Sequence, residues 1–220
     1  MSPGNRVMIE VGRKRVVAVP FDWPGWDRPG KTEEHALEVL ESFRPRYRKV
    51  AVLAGLQDDF DAAGPLQVVE HIDYPSTVDY AAYSSRPASV ETEQMSDAEC
   101  DRKLALLQAC WTYFDQTWPR VSEELKKGPR GSGRDRDRIV RHTYAAETDY
   151  SRGVGVRTSP EEMLDPAGRQ HHREAFVVAL RTFNAENRKP NIAFTIRRSC
   201  YHMLDHAWEM EDKDLGKNGQ

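Results

Sequence analysis

The sequence predicts an α+β protein in two parts: a small ββαβ module over residues 1–88, followed by an antiparallel four-helix bundle over residues 96–213. Three observations carry that reading. Apolar residues alternate around a short turn near the N-terminus, apolar stripes recur at helical spacing through the second half, and capping residues stand where those stripes begin. Composition agrees. Of 220 residues, 39% are hydrophobic and 30% charged, enough apolar surface for one large core or two small ones. A net charge of −3 gives no global electrostatic reason to expect nucleic acid as a partner. No apolar run approaches the roughly 20 residues of a membrane helix, and the first residues lack the apolar run of a secretory signal, so the expected location is cytoplasmic. Cys100, Cys110 and Cys200 are odd in number and lack metal-finger spacing, which predicts isolated reduced thiols.

Val7, Ile9 and Val11, then Val17 and Val19, alternate on either side of Gly12, Arg13 and Lys14, the pattern of a β-hairpin. Residues 21–30 hold two prolines and two glycines and are expected to form a loop, with Trp23 and Trp26 as its plugs. Thr32 is the expected cap of a helix carrying Ala36, Leu37, Leu40, Phe43 and Tyr47, which Pro45 kinks or splits. Further strands are expected over 66–72 and 77–83, with His71 a strand residue and not a ligand, and a linker over 86–94.

Ser96 and Glu99 open the first long helix, whose stripe of Leu104, Leu107, Trp111, Phe114 and Trp118 reads as core. The glycine-rich run 128–133 ends it. A second helix is expected from about Arg134, with Ile139, His142, Ala146 and Tyr150 facing inward. Ser159 and Pro160 form another cap, ahead of a third helix over about 166–187 that carries Phe176, Val177, Leu180 and Phe183. Asn191 caps the fourth, with inner positions Ile192, Thr195, Ile196, Ser199, His202, His206 and Glu209. Short connections between such helices predict antiparallel packing.

His202 and His206 are the focus of the chemistry. Four residues of helix advance about 6 Å and rotate about 400°, so the two imidazoles share a face, one turn apart. His142, inward on the second helix, completes a set of three. Inward imidazoles without partners cost free energy, and a shared metal ion would remove that cost while leaving a coordination position open for water or substrate. Imidazole-only ligation suits zinc first, with nickel, iron or copper as alternatives. Asp205 and Glu209, three residues beyond His202 and His206, are placed to orient an imidazole or move a proton. The competing structural reading is a core in which the histidines hydrogen-bond to Asp205, Glu209 or backbone. His35, His171 and His172 are expected to be ordinary, non-ligating residues.

Two resemblances follow from particular residues. The run from Asp22 to Gly25, then Gly30 to Leu37, resembles the opening of the HicB antitoxin fold, with Trp26 standing where that pattern carries a cysteine. The likeness covers about the first 55 residues and implies a binding or oligomerising module, with no catalytic residue carried over. The segment Ile139 to Glu147 around His142, and Tyr201 to His206, are similar to the DinB family of four-helix bundles, including its YfiT-like and thiol-transferase branches, over residues 96–213. Those proteins bind a divalent metal through one histidine of the second helix and an H-x-x-x-H pair of the fourth. The resemblance implies metal ligation by His142, His202 and His206. Some branches carry glutamine where this chain has Glu209.

The preferred functional expectation is therefore a metal-dependent enzyme acting on a small molecule by thiol S-transfer, isomerisation or hydrolysis, with a low-molecular-weight thiol as a second cofactor. Asp205 and Glu209 would assist, and Tyr144, Tyr150, Tyr201 and Trp208 are candidates to line the pocket, the last two nearer its flanks. The basic run from Lys126 to Arg138, with Arg130, Arg134 and Arg136, is expected to be a solvated turn or a receiver of a substrate anion. The alternative is a non-catalytic binding or stress-response protein that uses the N-terminal module as partner surface and dimerises through the bundle.

Overall fold

The structure is a computed structural model that describes residues 5–73, 78–79, 83–129 and 132–216. It is α+β, with a four-stranded mixed sheet in the N-terminal part and helices predominating after it. Strands β1 (Asn5–Val11) and β2 (Val16–Pro20) form the expected hairpin, Val11 opposite Val16 and Val7 opposite Pro20. Strand β3 (Arg28–Gly30) pairs with β2 inside the stretch expected to be loop. Three residues of ladder suffice for this short strand, and its proline lies at the sheet edge, where a missing N–H is tolerated.

Strand β4 (Leu66–Asp73) runs parallel to β1, giving the order β3-β2-β1-β4. Parallel pairing needs a long crossover, here built from α1 (Glu33–Ser42), α2 (Arg44–Leu53) and α3 (Gln57–Ala62). Thr32 caps α1 by accepting from His35 N at 3.2 Å. The helix expected across Pro45 is two helices, joined at Phe43, because proline is tolerated in a first turn and not in a helix interior. The strand expected over 77–83 lies mostly outside the described residues, and its described Val78 and Asp79 are helical.

Both faces of the hairpin are covered. Successive strand residues point to opposite faces. Val7, Ile9, Val16 and Ala18 join the large core against the helices, while Met8, Val17 and Val19 pack with Phe21, Val78 and Ala88. Trp23 and Trp26 are fully buried, as expected of plugs, and meet Tyr47 and Phe60 with ring centroids 4.8 to 6.3 Å apart.

The second part contains α4 (Asp97–Thr117), α5 (Arg136–Arg152), the short α6 (Pro160–Leu164), α7 (Pro166–Ala185) and α8 (Ile192–Lys213). Caps predicted from sequence operate: Ser96 accepts from Glu99 N, Ser159 and Glu162 bond reciprocally, and Asn191 accepts from Phe194 N. Trp118 leaves the α-helix for a 3₁₀ turn. Helix α4 packs along α8, α5 also packs on α8, and α2 packs on α4, so one apolar cluster runs through both parts of the chain.

Their seam is polar as well as apolar. Lys103 Nζ donates to Phe21 O and Arg102 Nη1 to Asp22 O, each at 2.7 Å. Gly25 takes φ +95°, and a Cβ there would lie 2.8 Å from Cys200 Cβ, so only glycine lets this loop touch α8. The segment expected to be a linker is tied down instead. It holds a 3₁₀ turn, Ser89–Thr92, and buried Glu91 accepts from Arg197 Nε at 2.8 Å, with Asp27 Oδ2 3.1 Å from Arg197 Nη1. A buried guanidinium needs such partners, and they lie more than a hundred residues away in sequence.

Candidate metal centre

Helix α8, which carries two of the histidines, is buried over most of its surface. The His202 and His206 rings lie 4.6 Å apart, nearly perpendicular, and half-buried. Helix α5 brings the third. The ring of His142 lies 5.1 Å from each of the others, and one nitrogen from every ring falls within 4.8 Å of the rest.

The route to this geometry differs from the expected one. Helix α5 buries Ile139, Val140, Thr143, Tyr144, Glu147, Thr148 and Ser151, so His142 lies on its exposed flank and does not face inward. The inner face is set by a charge. Glu147 accepts from Arg173 Nε and Nη2 at 2.9 and 3.1 Å, and Arg173 Nη1 also meets Asp115 Oδ2 at 2.6 Å. A reading by hydrophobicity passes over a buried glutamate, and its partner lies 26 residues away on another helix, beyond the reach of local pattern.

Nε2 of His202 lies 3.3 Å from Nε2 of His142. Two neutral imidazoles can share one N–H at that separation. It is also the spacing of two nitrogens held tetrahedrally by one zinc ion, about 3.3 Å for bonds of about 2.0–2.1 Å. Charge favours presenting lone pairs. Burial, then His206, His142, Arg198 and Arg134, push the His202 imidazole down to about 2, and burial followed by Arg134 and His206 lowers His142. His202 Nδ1 is buried without a hydrogen-bond partner. On His206 the arrangement is complete: Nδ1 faces Glu209 Oε2 at 2.8 Å, which leaves Nε2 for a ligand role. The bond to His206 and the ammonium of Lys213, 2.6 Å from Glu209 Oε1, outweigh burial and hold the Glu209 carboxyl down at about 2.

Asp205 is engaged elsewhere. Its Oδ1 lies 3.2 Å from Arg28 Nη1, and that guanidinium lies 4.2 Å from the ring centroids of both Phe43 and Trp208. The expectation that Asp205 orients His202 is corrected by this pairing, which a buried arginine on β3 requires and which lies 177 residues away in sequence. Of the expected pocket residues, Tyr150 stands beside the histidines, its ring 6.0 Å from His202. Tyr144 turns away to donate to Asp115 at 2.9 Å, Tyr201 packs near Tyr83, and Trp208 belongs to the seam.

The other histidines are not brought to this centre. His71 pairs with Glu33 at 2.9 Å on the surface, and His35 accepts from Lys31 N. His172 is fully buried beside Thr158, and burial pushes its imidazole down to about 4. In the basic run, Arg130 lies outside the described residues, Lys127 pairs with Asp135, and Arg136 bonds Asp137 and Val121 O.

A groove of about 590 Å³ lies elsewhere, between α4 and α7, lined by Trp111, Asp115, Arg169, Arg173 and Val177. Size does not make it the better candidate. Its charged groups satisfy one another, whereas the three histidines bring one nitrogen each to within 4.8 Å of the others. Among the described residues no helix is long and apolar enough to cross a membrane. Comparison with protein-family models, with curated proteins and with solved structures found no match for this chain.

Proposed function

We propose that this is a DinB-like metalloprotein in which His142, His202 and His206 hold one divalent ion, zinc first, and that the centre acts on a small molecule. The observation that carries the reading is the convergence of three imidazole nitrogens within 4.8 Å from two helices. Supporting it are the neutral state favoured for His142 and His202, and the carboxylate that orients His206. Helices α4, α5, α7 and α8 would be the four of the DinB-like bundle, and the sheet with its crossover helices the HicB-like module.

When bound, such an ion supplies Lewis acidity, which turns a water or a thiol into a nucleophile at neutral pH. Thiol S-transfer, isomerisation or hydrolysis of a small electrophile are the reactions this allows, with a low-molecular-weight thiol as the second cofactor. The chain's own residues divide the remaining work. Glu209 fixes the His206 ring and its tautomer, and a carboxyl held so acidic stays a hydrogen-bond acceptor instead of delivering protons. Tyr150 walls the site beside His202, and Asp205 anchors the N-terminal part through Arg28.

Elemental analysis tests the reading. Near-stoichiometric metal is expected in the parent and not in His142→Ala or in the double variant His202→Ala/His206→Ala. A parent without metal after zinc, nickel and iron have each been supplied would overturn it. The alternative, a binding protein, is favoured by one observation: β4 lies at the sheet edge with Val69 54% exposed, a ladder another chain could extend.

A further inference from the structure

The groove between α4 and α7 has a volume of about 590 Å³, within the range of about 300–1,000 Å³ usual for small-molecule pockets. It is separate from the histidines, none of which lines it. Its polar end is bonded to the buried face of α5, where Tyr144 donates to Asp115 and Arg173 to Glu147.

The lining restricts what can occupy it. Trp111, Val177 and Val178 give it apolar walls, and Val178 is 61% exposed to water. The charges are already matched. Arg173 Nη1 meets Asp115 Oδ2 at 2.6 Å, Arg173 Nε meets Glu147 Oε1 at 2.9 Å, and Arg169 Nε stands 3.7 Å from Asp115 Oδ2. Glu174 is exposed and accepts from Gln170 Nε2 at 2.9 Å. An ionic ligand therefore finds no unpaired buried counter-charge here. What remains unused is a donor. Trp111 is only 3% exposed, and its indole Nε1–H has no hydrogen-bond partner. Among the described residues, it is the one buried side-chain atom without a partner that belongs to the lining of this groove. A buried indole N–H usually finds an acceptor, and beside an open groove a ligand oxygen can supply it.

We infer that this groove binds an uncharged, largely apolar small molecule that carries a carbonyl-type oxygen, with its body against Trp111, Val177 and Val178 and its oxygen accepting from the Trp111 indole N–H. Burial of the apolar body supplies the attraction, and the one accepted hydrogen bond fixes its orientation. The inference goes beyond the metal-centre reading and does not depend on it.

The test is two-dimensional proton–nitrogen NMR of the full chain, following the indole N–H signals of its five tryptophans as acetonaphthone, a neutral aryl ketone, is added. The Trp111 signal is identified by its absence from Trp111→Phe. Acetonaphthone is expected to move that signal downfield. It should bind about tenfold or more tightly than its charged analogues naphthoate and naphthylmethylamine, which must shed water without gaining a counter-charge. Ethylnaphthalene, which lacks the oxygen, and Trp111→Phe, which lacks the N–H, should each show binding weaker by about three- to tenfold, the worth of one hydrogen bond. Val178→Asp places a charge on the apolar wall and should weaken acetonaphthone about tenfold or more. That position is at the surface, so the variant is expected to melt with the parent and keeps the test decisive even where Trp111→Phe is unstable. A Trp111 signal unmoved at the solubility limit of acetonaphthone, equal binding of a charged analogue, or an affinity unchanged in Val178→Asp would overturn the inference.

Discussion

Helix α5 contributes to two polar clusters, and they are built in opposite ways. On its buried side Glu147 is bonded twice to Arg173, Arg173 also reaches Asp115, and Asp115 accepts from Tyr144, so each strong donor meets an acceptor. On its exposed flank His142 meets His202 and His206, three imidazoles of which only His206 has a carboxylate, while His202 Nδ1 has no partner. Polar groups that satisfy one another hold the fold. Polar groups that converge with donors and lone pairs left over are where the proposed metal ion would bind.

The strongest way to break this comparison is to remove one member of the saturated cluster. Arg173→Ala would leave Glu147 as a buried, unpaired carboxylate and should destabilise the fold by about 3–5 kcal/mol, read as a lower urea midpoint, while metal content is unchanged. Loss of metal together with a small stability change would mean that the two clusters had been assigned the wrong way round.

The next effect belongs to the open cluster. Glu209→Gln should weaken metal binding about 10–100-fold, because a carboxylate that orients a ligating imidazole is worth that much. Asp205→Asn, which touches Arg28 instead of an imidazole, is the internal control and should leave metal affinity where it was. A competition titration against a chromophoric chelator reads both.

The smallest effect is a pH dependence of the metal-free protein. His202 is lowered in the folded state to about 2 from 6.5, so the unfolded chain takes up a proton first as the pH falls. Stability contributed by the neutral imidazole is complete above about pH 6.5 and is lost as the pH drops below it. Between pH 7 and pH 5 this amounts to about 1–2 kcal/mol from His202. His172, lowered to about 4, adds a loss in the same direction. Urea unfolding at the two pH values, repeated on His202→Gln, separates them: the variant should lose the His202 part of the slope and keep the part due to His172 and His142.

How much of this was legible depended on distance along the chain. The hairpin, the caps at Thr32, Ser159 and Asn191, and the pairing of His202 with His206 on one helix face all rest on residues within a few positions of each other, and each was readable. The phase of α5 was not. Apolar spacing placed His142 inward, but Arg173 from α7 claimed Glu147 for the buried face and turned His142 to the flank, where it still meets α8. Strand β3 was missed for a similar reason. Arg28–Gly30 has the composition of a loop, and only the edge of β2 makes it a strand.

The sequence by itself determined the α+β class, most helix starts and which three histidines could act together, because local backbone preference and the helical repeat act over one or two turns. The tertiary structure decided which partner each charge found. Asp205 went to Arg28, Glu91 to Arg197 and Glu147 to Arg173. Such pairings cross 26 to 177 residues, and burial enforces them: a charge removed from water must find its counterpart wherever packing brings one within reach.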